Sequence, residues 1–503
     1  MAETEKKRSL VLITVDCLRA DHCGFYGYAR ATTPFLNSLA PESAVVPNAM
    51  VAGAPTYYSL PAIFASRMPL ALGRDFIGLA PGEHTLVTAL RQAGYATAAF
   101  TAANPYISQR FGYDQGFEVF HDFQDFEVPA DQSPLTEKSN AHGPFRARLN
   151  RWLKESAQAA GLNRLYDELY FQYRMRIAVS PVQSVDTMRK FPSADTVVES
   201  AESWLATLGA RPFFLWIHLM DPHAPYYPRA AVFQELTGKK LSPARARYLN
   251  EFWNRSDLAP ADFQKHKQEV IDLYDAGIRG VDDQIARLVR SLKRSNRWAD
   301  CVFALTADHG EAFLEHGRRY HSPLGLEEEI ARVPLLIRAP GRSEANCPPR
   351  LFSHLHLAPT LLEMLDVSAP AGFEGVSLWS RFRKDATRND RDENDPADSS
   401  VAECVYGCAN PFSAEARFSG RLLSVRDARY KLVIRLEPGA VETIHDLQAD
   451  PDEKCPLTDH EAPEIRRRLL RIAAEHVNKT ASVQAGDLHL RARLRDIRLK
   501  LNA

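Results

Sequence analysis

Five nearly continuous apolar runs punctuate the chain: SLVLITVD (Ser9 to Asp16), ATAAFTA (Ala96 to Ala102), PFFLWIHLM (Pro212 to Met220), CVFALTAD (Cys301 to Asp308) and VPLLIRA (Val333 to Ala339). Runs of this length without polar alternation mark strands that are covered on both faces. Between them the spacing turns helical. From Val270 to Lys293, the residues Tyr274, Ile278, Val281, Ile285, Leu288 and Leu292 recur at steps of four and three, one face of a helix. This alternation predicts an α/β fold with a large, mostly parallel sheet sandwiched by helices.

From 126 to 190 the alternation breaks. The Arg- and aromatic-rich stretch FRARLNRWLKESAQAAGLNRLYDELYFQYRMR reads as an inserted helical pair, either packed on the core or shaping substrate access as a lid. The polar segment DATRNDRDENDPADSS, 385–400, reads as a linker or mobile loop. Residues 1–384 then form the main domain, and 401–503 a smaller α+β subdomain with a strand-like SGRLLSVRDARYKLVIRL, a helix and a basic tail, LHLRARLRDIRLKL.

Composition narrows the class. At 503 residues, 45% apolar and 25% charged, the chain has the size and balance of a large globular protein. A formal net charge of -1 offers no electrostatic case for nucleic acid. The N-terminal MAETEKKRSLVLITVDC has an apolar run too short for a signal peptide and interrupted by Asp16. No run approaches the roughly 20 apolar residues of a membrane span. The seven cysteines are scattered without a CxxC pair, so no disulfide framework is expected and the cytoplasm is the expected compartment.

The candidate chemistry lies at strand ends, where open α/β sheets bind their ligands. The first run ends in Asp16, the fourth in Asp308 and His309 followed by Gly310 and Glu311, and the third runs into HLMDPHAPY with His218, Asp221 and His223. A lone acid at a strand end is usually a helix cap; several ends delivering Asp and His into one crevice suit one divalent cation. Mn²⁺ and Zn²⁺ match such oxygen and nitrogen donors, and Mg²⁺ and Ca²⁺ also fit. The stretch GAPTYYSLPAIFASRMP, 53–69, adds Thr56 and Ser59 at the start of an apolar helix. A cation is one way to activate the Thr56 hydroxyl, and a bound anion would meet free N–H groups there. The N-cap role fits Ser59 better.

These segments resemble the sulfatase branch of the alkaline phosphatase superfamily. The resemblance rests on LITVDCLRADHCGFYGYARATTPFLNSLA, FLWIHLMDPHAPYYP, LTADHGEAFLEHGRRYHSPLGLEEEIARVPLLIRAPG and HLHLAPTLLEMLDVSAPAGFEGVSL, in the family's order. It implies that Asp16, Asp308 and His309 are metal ligands and that Thr56 is a metal-bound nucleophile. It further implies that His223 and His321 contact the transferred group or protonate the leaving oxygen. Asp221 matches a further ligand of two-metal relatives and, with Asn104 and Ser59, is taken as a substrate contact. In the family pattern T-x-x-S-x-x-S-L-x-T-G-x-x-P, Thr56, Ser59, Ile63 and Pro69 fall in place, while Ala62, Ala65 and Ser66 depart.

The departures bear on the reaction. Formylglycine sulfatases oxidise a Cys or Ser in a C/S-x-P-x-R context, whereas this chain has Thr56, Tyr58 and Leu60 there. Oxidising threonine, a secondary alcohol, gives a ketone and not an aldehyde. The sulfate-holding Lys-x-His is also missing, and Cys17 stands where many sulfatases carry a second Asp, as a bystander or a soft ligand. Phosphate-handling members commonly use threonine. The expected function is a metal-dependent hydrolase cleaving a small anionic phosphate ester through a covalent intermediate on Thr56. The rivals are a sulfuric ester hydrolase without formylglycine, a phosphoryl transferase to an alcohol, and a silent member that binds an anion or a partner.

Overall fold

Seven strands form the central sheet in the order Ala44–Val45, Leu335–Arg338, Cys301–Ala307, Ser9–Val15, Phe213–Leu219, Ala96–Thr101, Val119–His121. The computed structural model describes residues 7–74, 76–126, 144–175, 183–340, 348–382, 398–408, 420–436, 441–458 and 460–479. The five strands from Cys301–Ala307 to Val119–His121 run parallel, with Ile13 opposite Ile217 on one side and Leu305 on the other. Their side chains are buried on both faces wherever the sequence is continuously apolar, as in Phe213–Leu219. The last apolar run departs from the parallel expectation. Leu335–Arg338 lies antiparallel against Cys301–Ala307, while Arg332–Val333 pairs with Ala49–Met50 in a separate small sheet. Pro334, which has no N–H to donate, separates the two strands.

Two sets of helices cover the sheet. The helix Lys267–Arg294 buries Tyr274, Ile278, Val281, Ile285, Leu288 and Leu292, the stripe its spacing predicts, and packs with Ala194–Thr207. A second set comprises Thr56–Ala65, Leu86–Gln92 and Leu357–Met364. Every residue of Thr56–Ala65 is buried. A helix apolar on all sides belongs inside, not on the surface.

A four-stranded antiparallel sheet follows, Ser400–Val405, Arg421–Arg426, Tyr430–Arg435 and Val441–Asp446, with a helix at 463–479. It attaches directly beneath the Thr56–Ala65 helix: the Glu403 N–H donates to the Ala52 carbonyl at 2.9 Å. A Cβ on Gly53 would come within 2.5 Å of the Glu403 carbonyl oxygen, so only glycine permits that approach. Within 126–190 lie the helices Pro144–Ala159 and Asn163–Tyr173, and Phe171 packs on Tyr248. Most of the 385–400 linker, the basic tail, and 127–143 and 176–182 of the insertion lie outside the described residues. Among the described residues, no helix is long and apolar enough to cross a membrane.

Candidate active site

Parallel strands deliver their C-terminal residues to one edge, and there Asp16, Asp308 and His309 meet, all fully buried. A ligand oxygen or nitrogen from each lies within 4.8 Å of the others. His309 Nε2 is the hub: it lies 3.7 Å from Asp16 Oδ1, 3.5 Å from Asp308 Oδ2 and 3.2 Å from Thr56 Oγ1. Its Nδ1 pairs at 2.9 Å with the Gly310 carbonyl, an acceptor only. Nδ1 therefore carries the proton, and the Nε2 lone pair faces the carboxylates, as in metal-ligating imidazoles. Gly310 itself is required by close approach, since a Cβ would sit 2.0 Å from the Glu329 carbonyl oxygen.

Each carboxylate is held for this purpose. Asp16 Oδ2 accepts from Asn104 Nδ2 at 2.9 Å and faces His218 Nε2 at 3.4 Å. Behind it, Trp216 Nε1 donates to Thr14 Oγ1 (2.9 Å), which bonds His218 Nδ1 at 2.8 Å. Burial works to raise the Asp16 pKa, yet His223, His218 and His309 hold the carboxyl well below the usual carboxylate range. Asp308 Oδ1 accepts from the N–H groups of His309 (2.9 Å) and Cys17 (3.3 Å). Its Oδ2 is buried with no hydrogen-bond partner. An orphaned carboxylate oxygen facing an imidazole lone pair and a second carboxylate is the donor arrangement a divalent cation satisfies. The residues fit the group.

Thr56 begins its helix, with Pro55 at the N-cap, and is 4% exposed. Its hydroxyl points at His309. The neighbouring Tyr57 hydroxyl turns away and donates to the Cys408 carbonyl, which removes it as a nucleophile. A cavity of about 320 Å³ opens over Thr56, lined also by Asn104, Tyr106, His223, Tyr320 and His321. The His321 and His223 ring centroids are 5.0 Å apart, and His321 and His309 4.5 Å. His321 Nδ1 faces Glu311 Oε1 at 3.3 Å, while Glu311 Oε2 accepts from the Tyr226 hydroxyl at 3.1 Å.

Two expected contacts fall elsewhere. Asp221 faces away from the cluster: it accepts from Arg189 Nη1 at 2.7 Å and from the Ala194 N–H at 2.9 Å, anchoring the start of Ala194–Thr207. Its two oxygens are thus engaged by a buried guanidinium and a helix end. Ser59 lies within its helix, fully buried, and caps nothing; its hydroxyl has no partner. Asn104 does line the cavity, but its amide is spent on Asp16. Next to Thr56, Tyr57 lines the cavity and Tyr58 is buried against the C-terminal sheet. None of the described residues of the inserted helical pair lines it.

His218, Glu311, Tyr226 and Tyr274 join the site without having been assigned a role. His218 and Glu311 stood in the strand-end segments themselves, and that adjacency was the available signal. Tyr274 looked like core, since it lies on the apolar stripe of its helix. Its hydroxyl donates to the Cys17 carbonyl at 2.6 Å and accepts from the Arg19 N–H at 3.0 Å.

A family model described as Sulfatase matches residues 8–367, and one described as N-sulphoglucosamine sulphohydrolase, C-terminal, matches 317–477. Arylsulfatase K of Xenopus laevis is 23% identical over 314 residues, 57% of this chain and 56% of that protein. An arylsulfatase of Clostridium perfringens is 24% identical over 402 residues, covering 74% and 78%. The chain thus spans about half the length of Arylsulfatase K. The phosphonate monoester hydrolase of Agrobacterium radiobacter superposes with a TM-score of 0.64 at 18% identity, covering 95% of this chain and 96% of that one. The order of the motifs, the parallel sheet that brings them together and the family match over most of the chain agree: this protein belongs to the sulfatase family.

Proposed function

We propose that the chain hydrolyses a phosphoric ester, mono- or diester, through a covalent intermediate on Thr56. The observation that carries this reading is the threonine itself, at a helix start 3.2 Å from His309 Nε2, where formylglycine cannot form. Asp16, Asp308 and His309 would hold a divalent cation, which supplies Lewis-acid stabilisation of the anion being attacked. Beside such a cation the Thr56 hydroxyl would give up its proton to solvent, and its oxygen then attacks phosphorus as the bond to the leaving alcohol breaks. The Tyr58 and Ser59 N–H groups donate to the Pro55 carbonyl at 2.8 and 3.1 Å, and the two N–H groups ahead of them, on Thr56 and Tyr57, are suited to the equatorial oxygens. His321 gives its proton to the leaving oxygen, with buried Glu311 behind its Nδ1 to stabilise the protonated ring. Water then attacks the phosphothreonine, the phosphorus–Thr56 bond breaks, and Thr56 recovers its proton.

The cavity volume suits a small anionic ester. The similarity to the A. radiobacter phosphonate monoester hydrolase supports phosphorus chemistry. Sulfuric ester hydrolysis without formylglycine is the second reading, favoured by the arylsulfatase names of the curated relatives. Free thiols at Cys17, Cys23, Cys301, Cys404 and Cys455 support a reducing, cytoplasmic setting. A panel of nitrophenyl phosphate, phosphodiester, phosphonate and sulfate esters separates the readings. Preference for phosphorus esters, lost in Thr56→Ala, is expected; preference for sulfate esters would overturn it. Product analysis with an added alcohol distinguishes transfer from hydrolysis.

A further inference from the structure

The inserted helical pair carries an apolar surface that the active site does not use. Of the eight large apolar side chains exposed among the described residues, six belong to it: Trp152, Leu153, Leu162, Leu165, Leu169 and Tyr173. Trp152 and Leu169 are each 61% exposed. Leu162, Leu165, Leu169 and Tyr173 follow at steps of three and four, which puts them on one face of the helix Asn163–Tyr173 and its N-cap. Single exposed apolar residues need no explanation, whereas a cluster of this kind marks an interaction surface.

The other side of the same helix is anchored. Phe171 packs on Tyr248 and lies under the Arg255 guanidinium, 4.6 Å away, and Arg255 Nη1 donates to Glu168 Oε2 at 2.5 Å. The Arg255 carbonyl in turn accepts from Arg319 Nη2 at 2.9 Å, and the next residue, Tyr320, lines the active-site cavity. The apolar stripe is thus held outward on a base that is joined to the cavity wall.

Charge distinguishes what could cover it. Arg148, Arg151, Lys154 and Arg164 are exposed among these apolar side chains, and Glu155 is the one acid between 148 and 165. A second copy seated here about a two-fold axis would bring the patch against itself, like charges included. Protein interfaces also deplete Lys from their cores. An anionic lipid surface supplies both partners at once. The acyl boundary receives Trp and Leu, while the headgroups receive Arg and Lys, whose long stems reach past the apolar level.

We propose that the helical pair Pro144–Ala159 and Asn163–Tyr173 is an interfacial anchor that seats the protein on an anionic lipid surface. It lies on the bilayer and does not cross it, since its helices have 16 and 11 residues. The proposal is independent of which ester is cleaved.

Vesicle binding tests it with the full chain. Vesicles that mix phosphatidylserine with phosphatidylcholine should bind the protein, and phosphatidylcholine alone or high salt should weaken binding by about tenfold or more. Trp152 is the one exposed tryptophan of the six, so docking should shift the emission to the blue. Trp152→Phe should remove that shift and still bind. Leu165→Ser with Leu169→Ser should weaken binding by about tenfold or more, and Arg151→Gln with Lys154→Gln should remove most of the preference for anionic lipid. All four positions are exposed, so the unfolding transition should not move. No binding to the anionic vesicles, or equal binding to both lipids, overturns the proposal. So does binding that survives Leu165→Ser with Leu169→Ser. A dimer seen by light scattering in place of vesicle binding, and lost in that same variant, overturns it too and gives the face to a second copy. The two-lipid comparison and the Trp152 shift decide even where the variants fold poorly.

Discussion

Acid should weaken this fold through one histidine behind the site. His354 is fully buried, and burial pushes its pKa down from 6.5 to about 3. The cause is visible. Thr306 Oγ1 bonds the Pro334 carbonyl at 2.8 Å and His354 Nε2 at 3.0 Å, while His354 Nδ1 has no partner. The neutral ring donates its Nε2–H to Thr306 and leaves one lone pair unpaired at Nδ1; a protonated ring would bury a charge and an Nδ1–H with no acceptor among the described residues. The unfolded chain takes up this proton near pH 6.5 and the folded chain only near 3, so stability is full above 6.5 and drains as pH falls between those values. Linkage gives about 2.5 kcal/mol lost by this group from pH 7 to 4.5, and about 4–5 kcal/mol once pH is below the folded value. His354→Gln keeps an N–H for Thr306 and does not titrate. Urea unfolding of both proteins at pH 7 and 4.5 isolates the group from the carboxylates. The wild-type minus His354→Gln stability difference should fall by about 2.5 kcal/mol on acidification. A difference that stays constant, or grows, would refute the reasoning.

Other substitutions separate structural from chemical roles. Asp221→Ala removes the close partner of the buried Arg189 guanidinium, leaving it the exposed Asp186 carboxylate at 3.7 Å, and should cost about 3 kcal/mol in denaturant unfolding. Metal stoichiometry should stay unchanged; loss of bound metal would restore Asp221 as a ligand. His321→Asn should slow esters of poor leaving alcohols by about 10²–10⁴-fold and nitrophenyl esters far less, read from kcat across a leaving-group series. An equal loss across the series would remove His321 as the acid.

Much of the fold is legible because burial on both faces forces continuous apolar runs. Ser9–Val15, Ala96–Thr101, Phe213–Leu219 and Cys301–Ala307 lie where such runs occur. Orientation is less legible. Nothing local in VPLLIRA shows that Leu335–Arg338 runs antiparallel, since that follows from how the chain returns to the sheet edge. Asp16, Asp308 and His309 are readable as candidate ligands because strand ends and motif order agree. Asp221 presents the same strand-end pattern, but its partner Arg189 lies 32 residues upstream, and a long-range ion pair leaves no local mark. Ser59 misleads for a simpler reason. The helix starts earlier than its hydroxyl pattern suggests, with Pro55 in the N-cap position, which leaves Ser59 inside. Tyr274 shows the remaining limit: a residue on an apolar stripe can still send its hydroxyl to the site.

The central claim is that Thr56 carries the transferred group. It is tested most directly by acid-quenching the enzyme during turnover of a phosphate ester and mapping the adduct by peptide mass spectrometry. The account predicts a phosphoryl group on Thr56 in the wild type. In Thr56→Ala it predicts neither adduct nor turnover, with metal content retained. Undiminished turnover by Thr56→Ala, or an adduct on another residue, would contradict it.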